Sequence, residues 1–404
     1  MTKETHAQPY NLITGCDGGN TKTKLSYLND AGEAVDLLIP TVVADAPSSS
    51  IQMKGAPSSK MSPTQALHVE IKSEALPQDA TRGFFYVGEY AYARDGMKQP
   101  KGEEKHDSSL HLIVTLVSLA VAAAELERDE VRVHYAGGLP IDEFKKQGQN
   151  LLKQLKGEHI ITFIDGKHSG RTVSIDIYDG MILTEGVSSL MGLMFSIEKG
   201  DIVETELERQ LSSSQAHIVA DLGAETLDLA YYNNGSLDKH TSRSIDLGTN
   251  KYIDSLIHKV STMPDFDPIR RDGDARITHA REDFVNRFII PSMDQILRKG
   301  KNPHFSANWA YVKNVDITDI VLETMQSYSK DVRDALLDYW GNHAMSAEEI
   351  HLVGGGALFG YKYLSEMEGF NFLPQRLLNE SPFVTARSYL INNFLTLAEN
   401  PVEA

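Results

Sequence analysis

The sequence predicts a mixed helix-and-strand protein of at least two domains, an expectation that rests on three observations. Its 404 residues exceed what a single hydrophobic core normally organises. A strand, glycine-turn, strand pattern occurs twice, with its aspartates Asp17 and Asp221 about half the chain apart. That period is too long for a stacked array and points to two similar halves. Near Gly354 a third apolar run ends on three glycines and continues as a helical pattern.

Taken in order, Leu12 to Cys16 is apolar, Asp17-Gly18-Gly19-Asn20 is a turn, and Thr23 to Tyr27 returns as a strand. Residues Asp45 to Pro63, rich in Ser, Pro, Lys and Met, have no periodicity and are expected to form an exposed loop or a small insertion. Ser108 to Ala124 carries no formal charge, but His111, Thr115 and Ser118 interrupt it. It is also shorter than the ~20 residues of a membrane span, so a buried helix capped by Asp107 or Ser108 is expected. Val131 to Tyr135 should be a buried strand, Ala136 to Pro140 a turn, and Asp142 to Lys156 an amphipathic helix.

The second hairpin places Ala216 to Ala220 before the turn Asp221-Leu222-Gly223-Ala224-Glu225, with Thr226 to Tyr232 returning. Thr249 to Trp340 is mostly helical in pattern, broken at Pro264 to Asp274. Ile350 to Val353, Gly354-Gly355-Gly356 and Ala357 to Met367 then give strand, turn and helix.

Bulk properties narrow the function. Apolar residues are 41% and charged residues 24% of the chain, enough apolar material for packed cores, so disorder is not expected. A formal net charge of -17 repels phosphate backbones and anionic lipid, so contact with DNA is expected through a basic partner and contact with membrane is not expected. Cys16 is the single cysteine, so an intramolecular disulfide is impossible, and the polar stretch Met1 to Tyr10 has no export signal. A cytoplasmic location is expected.

A carboxylate at a strand end beside a turn of small residues can hold a hydrated divalent cation while the turn's amides face phosphate oxygens. Asp17 and Asp221 have that setting, and Lys24 emerges from the strand that follows the first turn. The strand, glycine turn and helix at Val353 to Ala357 suit an anionic ligand. Phe359 occupies the last glycine position of a dinucleotide fingerprint, and neither a Walker A segment nor a G-x-S-x-G elbow occurs. The 14 histidines include no H-E-x-x-H spacing.

In this order and spacing the motifs resemble those of the actin-like ATPase superfamily. The phosphate 1 motif resembles Asp17 to Lys24, phosphate 2 resembles Asp221 to Asp228, and the adenosine motif resembles Val353 to Ala357. Gly138-Leu139-Pro140, Glu185-Gly186-Val187-Ser188-Ser189 and Leu247-Gly248-Thr249 resemble the ParM group of plasmid-partition proteins, and the likeness spans about Leu12 to Leu395. Two departures stand out: Ala224 replaces a second glycine of phosphate 2, and Ser388 replaces a glycine of the second connecting segment, where it could stiffen the hinge.

The resemblance implies an α/β, actin-like (ribonuclease H-like) fold of two domains across a central nucleotide cleft, each with a five-stranded mixed sheet. Domain I is expected at 1–185 plus 374–404, with a small outer subdomain at 35–83. Domain II is expected at 186–373, with an outer subdomain at 251–340. It further implies ATP or GTP with Mg2+, the cation held by Asp17 and Asp221. Phosphates and nucleoside would be met by Gly19, Asn20, Thr21, Lys24, Gly223, Ala224, Glu225, Thr226, Gly248, Thr249, Gly354, Gly355 and Gly356. Glu185 would orient the attacking water, with Asp221 the second catalytic carboxylate. The implied partners are further copies of the chain, as a filament, and a basic centromere-binding adaptor. A sugar-kinase-type phosphotransferase shares both hairpins but needs a substrate-activating aspartate that is not identifiable here. A chaperone-type ATPase needs a peptide-binding domain after the second connecting segment, for which little chain follows.

Overall fold

The computed structural model describes residues 11–50, 60–76, 82–92, 94–100, 108–185, 188–269, 281–297 and 303–399, apart from the side chains of residues 141, 142 and 147–149. The chain divides into two compact units, 1–209 with 383–404, and 210–382.

In the first unit, β1 (Leu12–Gly18), β2 (Lys22–Leu28), β3 (Ala34–Pro40), β4 (Val43–Asp45), β5 (Leu67–Ser73), β6 (Arg82–Val87), β7 (Glu130–Leu139), β8 (Gly157–Asp165) and β9 (Thr172–Thr184) form one sheet. Its order is β3-β2-β1-β7-β9-β8-β5-β6-β4. β1, β7 and β9 are parallel and every other pair is antiparallel. Parallel strands are normally covered on both faces, and side-chain alternation along β1 serves both covers. Leu12 and Cys16 share a core with helix Ser109–Glu125, while Ile13 packs with Leu390 and Ile391 of helix Val384–Glu399. Gly15 lets that second helix lie directly on the strand, since a Cβ there would be 2.2 Å from the Ala386 carbonyl oxygen. A hairpin of β10 (Phe195–Glu198) and β11 (Asp201–Glu204) packs beside the same helix.

The sheet holds nine strands where five were expected, because β8 pairs with β5 as well as β9 and so carries the ladder on through β6 and β4. The turn expected at Ala136 to Pro140 is instead the end of β7, laddered to β9 through Leu139↔Thr184. Its glycines answer to packing: a Cβ at Gly137 would meet the Tyr135 ring and one at Gly138 the Tyr389 hydroxyl. Helix Ser109–Glu125 is buried from His111 to Ala124 as expected. Ser108 takes the cap position without a side-chain cap bond, and Asp107 lies outside the described residues. No helix among the described residues is long and apolar enough to cross a membrane. The stretch expected to form a loop after Asp45 is described only at 46–50 and from residue 60 onward.

In the second unit, β12 (Ala216–Leu222), β13 (Leu227–Asn233), β14 (Ser236–Leu237), β15 (Arg243–Ile245), β18 (Glu349–Val353) and β19 (Phe370–Asn371) form a six-stranded sheet. β16 (Ser306–Trp309) and β17 (Val312–Asp316) make a separate hairpin inside the region expected to be helical. Its turn uses Ala310 at φ +48°, and the Asn308 side chain accepts from the Asn314 amide at 2.7 Å, local bonding that competes with a helix. Around it, helices Asn250–Ser261 and Thr318–Asn342 match the helical expectation. The predicted break is described at Pro264–Ile269, and 270–274 lie outside the described residues.

The two units repeat one arrangement. β1 is antiparallel to β2 and parallel to β7, and β12 is antiparallel to β13 and parallel to β18. Asp17 faces Lys24 and Asp221 faces Asp228 at matching registers near the turn end of each hairpin.

Candidate functional site

In the first unit, β1 delivers Asp17, mostly buried, to the mouth of the Gly19-Asn20-Thr21 turn. The turn is closed by its own backbone, the Gly19 amide donating to the Lys22 carbonyl at 3.1 Å. Thr41, which the sequence did not single out, braces it from outside: its hydroxyl donates to the Gly19 carbonyl at 2.7 Å and its amide to the Thr21 carbonyl at 2.9 Å. Asn20 Oδ1 is buried without a hydrogen-bond partner among the described residues. Lys24 Nζ lies 2.6 Å from Asp17 Oδ2, so the expected phosphate-facing cation is held by the carboxylate in this structure.

Glu185 follows β9, and its amide donates to the Leu139 carbonyl at 2.8 Å. A second residue missed in the sequence is Tyr135, buried on β7 beside β1. Burial first, and then Cys16, Asp17 and Glu185, push the Tyr135 hydroxyl well above its usual range. Gly186 and Val187 lie outside the described residues. Beyond them, the Ser388 hydroxyl donates to the Ser188 carbonyl and the Ser189 hydroxyl meets that of Thr385 at 3.0 Å. The serine in place of glycine therefore bonds the second connecting segment to the first.

In the second unit, β12 delivers Asp221 to the Gly223-Ala224-Glu225-Thr226 turn, closed by the Gly223 amide on the Thr226 carbonyl at 2.9 Å. Neither Gly223 nor Ala224 has a positive φ, so alanine fits here without strain. Leu247-Gly248-Thr249 lies on this turn: the Thr249 amide donates to the Gly223 carbonyl at 3.3 Å and the Asn250 amide to the Ala224 carbonyl at 2.9 Å. Gly248 is required by that approach, since a Cβ there would be 2.1 Å from the Ala224 oxygen. Asn250 Nδ2 donates to Glu225 Oε1 at 2.5 Å. Asp228 accepts from the Thr226 and Ser244 hydroxyls, which ties the turn to β15 and gives it a structural part.

β18 places the third element beside the second, with Val353 paired to Asp221. Only Gly354 is turn, at φ +88°; Gly355 and Gly356 already belong to helix Gly355–Leu364, which starts two residues before its expected first residue. A Cβ at Gly354 would stand 2.4 Å from Asp221 Oδ1 and 2.6 Å from the Leu222 carbonyl oxygen. The second unit thus gathers Asp221, Gly223 to Thr226, Gly248, Thr249 and Gly354 to Gly356. The first gathers Asp17, Gly19 to Thr21 and Lys24, with Glu185 after β9, on the far side of β7 from β1.

Among the described residues no group of three or more His, Cys, Asp or Glu side chains could hold a metal ion by itself. Each unit places one carboxylate, Asp17 or Asp221, beside a turn of small residues, the donor chemistry of a Mg2+ held by one or two carboxylates and completed by phosphate oxygens and waters.

Comparison with known proteins bears on the whole arrangement. Residues 15–187 match the family model described as the N-terminal domain of actin-like proteins. The chain is similar to a Bacillus thuringiensis ParM hybrid protein with ADP, containing two ParM mutants, at 35% identity and TM-score 0.78, covering 98% of this chain and 50% of that one. It therefore spans half the length of the hybrid. It is similar to Bacillus thuringiensis ParM with ATP at 36% identity and TM-score 0.77, covering 96% of this chain and 99% of that one. A 15-stranded ParM filament from Clostridium botulinum shares the fold at 18% identity and TM-score 0.65, covering 95% of this chain and 99% of that one. No curated protein matches the chain.

Proposed function

Because the chain belongs to the ParM family of actin-like proteins, we propose that it binds and hydrolyses ATP or GTP and uses that cycle to assemble and disassemble a filament that segregates plasmid DNA. The observation that carries this reading is the repeat of one device in both units: a carboxylate at the end of a hairpin's first strand, beside a backbone-closed turn of small residues, next to a parallel strand. The Bacillus thuringiensis relative solved with ATP supports the choice of ligand.

In this proposal the Gly19 to Thr21 and Gly223 to Thr226 turns offer amides to the phosphates, while Gly354 to Gly356 and Gly248-Thr249 receive the rest of the nucleotide. Mg2+, when bound, supplies charge neutralisation on the phosphate oxygens. Asp17 and Asp221 would hold the cation through waters. Lys24 shifts from Asp17 toward the phosphates and spreads the developing charge. Glu185 orients the attacking water and accepts its proton. The outer regions 35–83 and 251–340 are proposed as the parts that face neighbouring copies, and a basic adaptor as the link to DNA in the cytoplasm.

The test is nucleotide binding and phosphate release with ATP and GTP, with and without Mg2+, for the wild type and Asp221→Ala. Cation-dependent binding that the variant loses supports the reading. Hydrolysis by Asp221→Ala at the wild-type rate would overturn the role given to that carboxylate.

A further inference from the structure

The long helix Thr318–Asn342 places Tyr328 under the glycine turn of the second unit. Tyr328 is fully buried, and its hydroxyl has no hydrogen-bond partner among the described residues. A Cβ at Gly356 would stand 2.2 Å from that hydroxyl, just as a Cβ at Gly354 would stand 2.4 Å from Asp221 Oδ1, and the Leu222 carbonyl oxygen lies 2.6 and 2.9 Å from the two positions. The hydroxyl and the carboxylate therefore flank one three-glycine segment. The neighbouring Tyr252 ring sits edge-on at 5.1 Å, but its own hydroxyl is already spent on Asp331 at 2.5 Å.

A buried hydroxyl without a partner costs stability, and phenylalanine would fill the same space without that cost. If packing alone were required, tyrosine would be the poorer choice. Burial first, then Tyr252 and Asp221, raise the pKa of the hydroxyl far above working pH, so it stays a neutral donor. Asp221 is the carboxylate on the other side of the same glycines.

We infer that Tyr328 is a positioning residue for Asp221: when nucleotide and divalent cation bind, its hydroxyl donates to the Asp221 carboxylate and fixes the oxygen that faces the cation. The inference rests on the nucleotide reading given above. Hydrogen bonds that orient a metal-binding side chain are typically worth about 10–100-fold in metal affinity.

The experiment compares wild type with Tyr328→Phe in two readouts: the melting temperature without nucleotide, and the Mg2+ concentration that half-saturates binding of a fluorescent ATP analogue. The variant should melt at the same or a higher temperature, need at least about tenfold more Mg2+, and regain wild-type nucleotide affinity once Mg2+ is saturating. In an Asp221→Asn background the substitution should cause no further loss. An unchanged Mg2+ midpoint overturns the inference while leaving the nucleotide reading intact, as does an affinity loss that excess Mg2+ cannot repair. A wild-type chain that binds no nucleotide at any Mg2+ concentration overturns that reading, and this inference with it.

Discussion

Lys24 Nζ sits 2.6 Å from Asp17 Oδ2, joining two residues that face each other across the first hairpin. Both side chains are largely shielded from water, so each charge depends on the other. Lys24→Met should lower the melting temperature of the nucleotide-free protein and weaken nucleotide binding about tenfold or more, since a hydrogen bond to a charged group is typically worth about 1.5–3 kcal/mol. Scanning calorimetry and nucleotide titration on the same preparations check both. A variant with wild-type affinity would leave Lys24 as a structural partner of Asp17 only.

Two of the three glycines after β18 should differ, Gly354 being required for folding and Gly355 not. Gly354 combines φ +88° with an Asp221 oxygen 2.4 Å from any added Cβ, whereas a Cβ at Gly355 meets nothing within 4 Å. Gly354→Ala should cost about 1–3 kcal/mol, the range for backbone held in a disfavoured region, and displace the Asp221 side chain. Gly355→Ala should fold with a change of about 0.5 kcal/mol or less, so any loss of nucleotide affinity it shows reports ligand contact. Urea unfolding with nucleotide titration distinguishes the two.

Both hairpins were legible in the sequence because local rules specify them: short apolar runs, turns of small residues, and strands resuming at fixed spacing. The same rules misplaced the end of β7, where Gly137 and Gly138 look like a turn but serve the Tyr135 and Tyr389 side chains. They also missed β16 and β17, whose pairing depends on a left-handed residue at Ala310. Thr41 was invisible as a site residue because it reaches its turn from outside the hairpin, and no spacing along the chain records that approach. Ser388 stands out in the sequence as a departure, but only the fold brings its hydroxyl to the Ser188 carbonyl.

Acid should destabilise the second unit through His217. Its ring is buried and stacked on Tyr232 at 5.3 Å, and burial first, then His351, push its pKa from 6.5 down to about 4, against an opposing pull from Glu349. The unfolded chain takes up this proton near its ordinary pKa, while the folded chain refuses it until about 4. Stability is therefore complete above pH 6.5 and declines as the pH falls from 6.5 to about 4. The loss is bounded at about 3 kcal/mol by the size of the shift. Urea unfolding at pH 7 and pH 5 should show it, and His217→Phe should reduce the difference between the two pH values.

Direct DNA binding should be weak, because a net charge of -17 opposes the counterion release that drives it. Gel shift with the purified chain at physiological salt should show no discrete complex until a basic adaptor is added. Tight, salt-resistant binding of the chain alone to a defined site would contradict the need for an adaptor.

Glu185 separates assembly from hydrolysis most directly. Glu185→Ala removes the carboxylate proposed to orient water but leaves Asp17, Asp221, Lys24 and the glycine turns in place, so nucleotide affinity and assembly should survive. Turnover should fall at least about tenfold, since general-base help is typically worth 10²–10⁴. Light scattering and phosphate release followed on one sample after adding ATP or GTP with Mg2+ give the answer. The account predicts that the wild type rises and decays while the variant rises and holds. A wild type that never assembles, or a variant that decays on the wild-type timescale, would contradict it.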